Sequence, residues 1–398
     1  MLSVISDEVL VKWSGQKILL RVDYNCPVER GIVTDATRID RTIAGIKRLT
    51  DAGASVILMS HFGRPKGERH AGMSLRPVQE YISEKLGYNV GLADDICGPQ
   101  AQKMAAELPS GKVMMLENLR FEKGEEANSA EFAVSLAALG NIFVGDAFSC
   151  AHRAHASTEG VAHILPAFAG DTLAAEVSAL QTVLESPQRP VAAVVGGSKI
   201  STKLAVLEQL ISVVDHLILG GGMANTFLAA QGINMGRSLL EADMCDTARM
   251  ISAKASEKGC KIHLPVDGVA AEYFVEGAKS RVTPYNSLKN SEMVLDIGPE
   301  SVERALRVLA HCKTALWNGP MGAFEIMPFD DATIQLARHA AELTRKGALI
   351  TLAGGGDTVA ALNHAGVADQ FSYLSVAGGA FLEWIEGKQM PGIAVLTV

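Results

Sequence analysis

Four stretches in the first half of the chain end an apolar run in residues suited to holding anions. Arg21-Val22-Asp23-Tyr24-Asn25 closes the first, and Thr37-Arg38 opens the helical pattern after it. Ser60-His61-Phe62-Gly63-Arg64-Pro65 closes the second and Leu116-Glu117-Asn118-Leu119-Arg120 the third. Asp146 to Ser157, with Arg153 inside it, follows the fourth. If these ends share one sheet edge, Arg38, Arg64, Arg120 and Arg153 would present forked guanidinium groups to a phosphate and a carboxylate together. Taken singly, any of them could equally be a surface charge paired with a nearby acid. His152 and His155 have a spacing that can serve a metal, but only Asp146 offers an acid nearby and Arg153 between them repels cations. No metal site is expected there. His61 reads as a polar lining residue and not as a base.

In the second half, glycine turns replace arginines. Gly196-Gly197-Ser198-Lys199 follows one apolar run, with Lys203 one helical turn beyond Lys199. Gly220-Gly221-Gly222, Trp317-Asn318-Gly319-Pro320 and Gly354-Gly355-Gly356-Asp357-Thr358 follow others. A strand, a glycine turn and a helix N-terminus expose main-chain N–H groups and a positive dipole end to phosphate. Asp357 can hold the Mg²⁺ that accompanies ADP or ATP, while Thr358 and the turn amides hold phosphate oxygens. Neither Gly-x-x-x-x-Gly-Lys-Ser/Thr nor a Gly-x-Gly-x-x-Gly after a strand is present, which disfavours a P-loop or simple dinucleotide enzyme.

The elements that must carry these residues alternate. Nearly continuous apolar runs at 17–24, 55–61, 113–118 and 142–148, then 191–197, 217–222, 262–267, 314–319, 349–354 and 373–377, read as strands buried on both faces. Helical patterns lie between them, including 36–52, 77–86, 130–139, 202–213, 300–310 and 331–346. This predicts an α/β protein of two doubly wound, mainly parallel, Rossmann-like domains facing across a hinged cleft. The expected boundaries are 1–170 for the first domain, 171–190 for a linker helix capped by Asp171 and hinge, and 191–383 for the second.

A length of 398 residues suits two cores. The formal net charge of −8 argues against nucleic acid or an anionic membrane as the main partner. Six scattered cysteines without a Cys-x-x-Cys pair read as reduced thiols, and neither a leader nor a membrane-spanning run is evident, so the cytoplasm is expected.

Together the quoted motifs, in this order from about Val11 to Leu396, resemble the phosphoglycerate kinase family. The resemblance implies reversible transfer between 1,3-bisphosphoglycerate and ADP, giving 3-phosphoglycerate and ATP, in glycolysis and gluconeogenesis, by a Mg²⁺-dependent, hinge-bending monomer. It places Asp23, Asn25, Arg38, His61, Arg64, Arg120 and Arg153 on the acid, and Arg38 and Lys199 in the transfer. Lys203, Gly220, Gly221, Asn318, Glu325, Gly355, Gly356, Asp357 and Thr358 fall on the nucleotide, with Glu325 at the ribose and Asp357 also at the metal. The segment 384–398 is expected to pack back on the first domain.

Two departures stand out. Ser375-Val376-Ala377-Gly378-Gly379-Ala380 replaces the family's Ser-Thr-Gly-Gly-Gly-Ala, and an Ala at positive φ would be strained. Ser149-Cys150 replaces Gly-Thr, putting a thiol beside the expected anion site. The altered turn motivates the alternative of a catalytically weakened binding or regulatory protein on the same scaffold.

Overall fold

The computed structural model describes residues 1–397. The chain divides into two compact units, Met1–Ser178 with Gln389–Val398, and Ala179–Lys388. The division falls inside the helix Asp171–Leu184.

In the first unit the strand Lys17–Arg21 lies inside a six-stranded sheet. Ile18, Leu19 and Leu20 are buried because helices cover both faces, each burial contributing about 1.5–3 kcal/mol relative to exposure. The sheet runs Gly91–Leu92, Val113–Met115, Ser55–Met59, Lys17–Arg21, Ile142–Gly145, Ala167–Ala169, and every pairing is parallel. The chain winds outward from Lys17–Arg21 on one side, then returns to its other side with Ile142–Gly145. That reversal opens a crevice beyond the carboxyl ends of these two strands, where Asp23 and Ser149-Cys150 follow. The helix Thr37–Asp51 buries Ile39, Thr42, Ile46 and Leu49, one face at helical spacing, and so fixes where Arg38 starts.

The second unit repeats the plan. Its sheet runs Lys261–His263, His216–Leu219, Val191–Val195, Thr314–Asn318, Ile350–Gly354, Tyr373–Ser375, all parallel. The reversal lies between Val191–Val195 and Thr314–Asn318, which puts Gly196-Gly197 beside Asn318-Gly319. An added antiparallel sheet orders Ser280–Pro284, Asp267–Ala271, Met293–Ile297. Its strands, and the edge strands Gly91–Leu92 and Ala167–Ala169, lack the long apolar runs that mark the others.

Two local readings change. The helix Asp171–Leu184 is capped by Asp146, whose Oδ1 accepts from Leu173 N–H at 2.9 Å and Oδ2 from the Thr172 hydroxyl at 3.0 Å. Asp171 instead pairs with Arg48 at 2.9 Å. The return to the first unit begins at Gln389, because 384–385 complete the helix Gly379–Ile385 of the second. It is tied there by Gly392 N–H to Ala151 O at 2.9 Å and Ser3 N–H to Leu396 O at 2.8 Å. Among the described residues no helix is long and apolar enough to cross a membrane.

Candidate active site

The crevice of the first unit is built around a carboxylate. Asp23 is buried, its Oδ2 receiving Arg38 Nη1 at 2.5 Å and the Ser149 hydroxyl, its Oδ1 the Asn25 N–H at 3.0 Å. Asn25 Oδ1 accepts from Gly63 N–H at 2.9 Å, and Gly63 O accepts from Arg120 Nη1 at 2.7 Å. Three strand ends are thereby tied into one rim. Arg64 extends this rim as an exposed residue. Arg153 is part-exposed and donates from Nε to His152 Nε2 at 2.9 Å.

Two imidazoles report the field these groups make. Burial lowers the His61 pKa well below the usual range, and Arg21, Arg120 and Arg38 push it further the same way. Burial, then Arg21, Arg120 and Arg153, lowers His155 to about 4. Both shifts favour the neutral ring inside a cluster of positive charge. A ligand rich in negative charge is what relieves such a cluster.

Arg21 is the member that sequence reading passed over. It is buried at 2% exposure, donates from Nε to Ser157 Oγ at 2.8 Å, and lies 3.3 Å by Nη2 from His61 Nδ1. Its counter-charge is the buried Glu125 at 4.0 Å, whose carboxylate accepts the Ser157 N–H and hydroxyl. The Arg21-Val22-Asp23 motif was a signal, but Arg21 reads as the end of a strand until those distant partners are seen. His152 and His155 form no metal cluster with Asp146, which caps the helix instead; His155 Nδ1 lies 3.8 Å from Glu125.

In the second unit a cavity of about 500 Å³ carries Gly197, Ser198, Gly221, Glu325 and Asp357 on its wall. Gly221 adopts φ +67°, and a Cβ there would stand 2.6 Å from Gly197 O, so glycine lets the two turns meet. Gly220 precedes the helix Gly221–Ala230 as its N-cap. Gly355, at φ +99°, caps the helix Gly356–His364, and a Cβ on it would approach Asn318 Nδ2 to 2.7 Å. Asn318 is buried and donates from Nδ2 to Gly354 O at 2.8 Å, leaving its Oδ1 without a protein partner. Thr358 is also buried, and its Oγ1 accepts from Gly319 N–H at 2.8 Å. It joins two turns and does not present its hydroxyl to the cavity.

The lysines differ from a helical pair. The helix begins at Leu204, so Lys199 and Lys203 sit on the bend before it. Lys199 is exposed. Lys203 folds under the glycine turns, donating to Gly196 O at 2.6 Å and Asn318 O at 3.1 Å. Burial lowers its pKa to about 8, while Asp357 acts to raise it. Gly356 and Asp357 are exposed on the first turn of their helix, and Glu325 is exposed at the cavity wall. One open carboxylate suits Mg²⁺, which takes few protein oxygens and completes its shell with phosphate and water.

A family model described as phosphoglycerate kinase matches residues 8–388. The chain belongs to the phosphoglycerate kinase family. It is 55% identical over 383 residues to "Phosphoglycerate kinase" of Rhizobium meliloti (strain 1021), with 96% of each covered. A solved phosphoglycerate kinase from Coxiella burnetii superposes with a TM-score of 0.90 at 42% identity, covering 96% of both chains. Another from Pyrococcus horikoshii OT3 gives 0.80 at 28% identity, again over 96% of both. As a phosphoglycerate kinase the chain is a phosphotransferase of glycolysis. The departure at Val376-Ala377 does not strain an alanine, because the positive φ of that turn, 58°, falls on Gly378.

Proposed function

We propose that the first unit binds the phosphorylated acid, 3-phosphoglycerate or 1,3-bisphosphoglycerate, through Arg38, Arg64, Arg120 and Arg153, with Asp23, Asn25 and His61 holding the rim. The observation that carries this reading is the gathering of basic side chains at the strand ends, with Arg38 on Asp23 at 2.5 Å, Arg120 on Gly63 O at 2.7 Å and Arg21 3.3 Å from His61. The second unit binds ADP or ATP in the cavity lined by Gly197, Gly221 and Glu325. Gly220, Asn318 and Thr358 shape its turns, and Gly355, Gly356 and Lys203 line the phosphate path.

The chemistry calls for little proton handling. A carboxylate acceptor has an intrinsic pKa near ~4, so it is ionised at neutral pH and needs no general base. His61, kept neutral, orients and does not abstract. What remains is alignment and charge neutralisation of crowded oxygens. Arg38 neutralises the acid side, and exposed Lys199 meets the phosphoryl group in flight. The N–H groups opening the helix Gly356–His364 face the nucleotide phosphates. Asp357 would hold Mg²⁺, which supplies divalent charge to the phosphate oxygens when bound. Direct transfer requires both ligands in line with water excluded, a role we assign to closure about the hinge region 171–190. A monomeric, cytoplasmic enzyme without nucleic-acid or membrane partners completes the proposal.

A coupled assay with 3-phosphoglycerate and Mg-ATP tests it. ADP formation that depends on the acid supports the reading. Acid-independent hydrolysis, or none at all, refutes it.

A further inference from the structure

Cys150 has no part in the transfer chemistry, yet it touches residues assigned to the acid. Its Sγ is 3.8 Å from His61 Nδ1, and that nitrogen is 4.0 Å from Asp23 Oδ1. One ligand atom from each of the three lies within 4.8 Å of the others, and all three residues are buried. A tetrahedral zinc shell, with bonds of ~2.0–2.3 Å, sets its ligand atoms about 3.5 Å apart. The observed separations therefore close onto one ion by small side-chain rotations. His61 Nδ1 is the unprotonated ring nitrogen, since it accepts from Arg21 Nη2 at 3.3 Å and a guanidinium N–H can only donate, and that hydrogen bond gives way when the lone pair turns to a metal.

We propose that Asp23, His61 and Cys150 form a reversible inhibitory site for a thiophilic divalent cation of the zinc class. Sulfur and imidazole select such a metal over the Mg²⁺ that travels with nucleotide. On binding, the thiol proton leaves to solvent, and thiolate and carboxylate balance the two charges of the ion. The surrounding Arg21, Arg38 and Arg120 oppose a cation, and Arg38 surrenders its partner Asp23. These costs make the site a weak, exchanging one and not a resident structural centre. Occupancy removes Asp23 and His61 from the acid, so inhibition is competitive with it. That competition rests on the substrate reading above; the coordination does not.

The test uses the full chain without nucleotide, titrated with Cd²⁺ while the ultraviolet thiolate-to-metal charge-transfer band is followed, in wild type, Cys150→Ser and Cys150→Thr. The other five cysteines set a background common to all. Zn²⁺ inhibition is then measured at fixed Mg-ATP and varied 3-phosphoglycerate. Wild type gains a band that both variants lack, and both variants keep their zinc-free activity. In the variants half-inhibition by Zn²⁺ needs at least ~10-fold more metal, a factor worth about 1.4 kcal/mol. Identical bands and identical inhibitory concentrations in wild type and either active variant overturn the site. A Cys150-dependent band whose metal the acid does not displace upholds the coordination and overturns the substrate assignment.

Discussion

Arg38 Nη1 stands 2.5 Å from Asp23 Oδ2, a guanidinium at 31% exposure anchored on a carboxylate at 9%. Asp23 is held in turn by Ser149 and the Asn25 amide, so the position of Arg38 is set before any substrate arrives. Arg38→Ala should lower kcat/KM for 3-phosphoglycerate by at least ~100-fold, equivalent to ~2.7 kcal/mol. Asp23→Asn, which keeps the guanidinium and weakens its anchor, should fall between that variant and wild type. Steady-state kinetics at saturating Mg-ATP decide both.

Lys199→Ala should cut kcat by a similar ~100-fold with a smaller change in nucleotide KM, since the role assigned to Lys199 is realised in the transfer itself. A change confined to KM in single-turnover and steady-state measurements would place Lys199 in ground-state binding instead.

Lys203 has a pKa lowered to about 8 by burial. Phosphate nearby favours the ammonium, so nucleotide binding at pH 8–9 should take up protons. Calorimetry of Mg-ADP binding in buffers of different ionisation enthalpy should show this uptake in wild type and its loss in Lys203→Met. In the unliganded protein the sign for folding is also fixed. The unfolded chain binds more protons than the folded one between about pH 8 and the normal lysine value, so this residue's contribution to stability rises with pH there.

His155, lowered to about 4, gives the corresponding prediction on the acid side. Its ring resonances should titrate near pH 4 and not near 6.5. Relative to His155→Gln, the wild type should lose stability as pH falls from about 6.5 to about 4, because the unfolded histidine protonates first. Asp146 runs the other way: burial raises its carboxyl to about 6, so its contribution falls as pH rises through that value. Denaturant titrations of wild type and variant at matched pH read the histidine difference alone.

Two adjacent glycines should behave oppositely. Gly355→Ala places a Cβ at φ +99° and 2.7 Å from Asn318 Nδ2. It should cost ~1–3 kcal/mol in denaturant unfolding and raise the KM for ATP. Gly356→Ala meets no atom within 4 Å and should stay within about 0.5 kcal/mol of wild type in the same unfolding experiment.

Most of the frame was legible because burial on both faces leaves continuous apolar runs, and because polar residues ending those runs must lie at one sheet edge. The strands Lys17–Arg21 and Val191–Val195, and the helix Thr37–Asp51, follow from such patterns. Arg21 was not legible as part of the site. Its burial depends on Glu125 and on Ser157, 136 residues away in sequence. The cap of Asp171–Leu184 was misread for the same reason, since Asp146 reaches it from another strand end. The lysine spacing suggested a helix that starts later, at Leu204. The far wall of the second unit's cavity, with Tyr285, Val294 and Leu295, comes from or adjoins a small antiparallel sheet, of which the strands Ser280–Pro284 and Asp267–Ala271 carry little apolar signal.

The division of labour between the two units is tested most directly by calorimetric binding of each ligand alone to wild type, Arg38→Ala and Lys203→Met. Arg38→Ala should weaken 3-phosphoglycerate by at least ~10-fold and leave Mg-ADP within about 2-fold, with Lys203→Met showing the reverse. If Arg38→Ala binds the acid as wild type does, or if either variant weakens both ligands alike, the assignment of one anion to each unit is wrong.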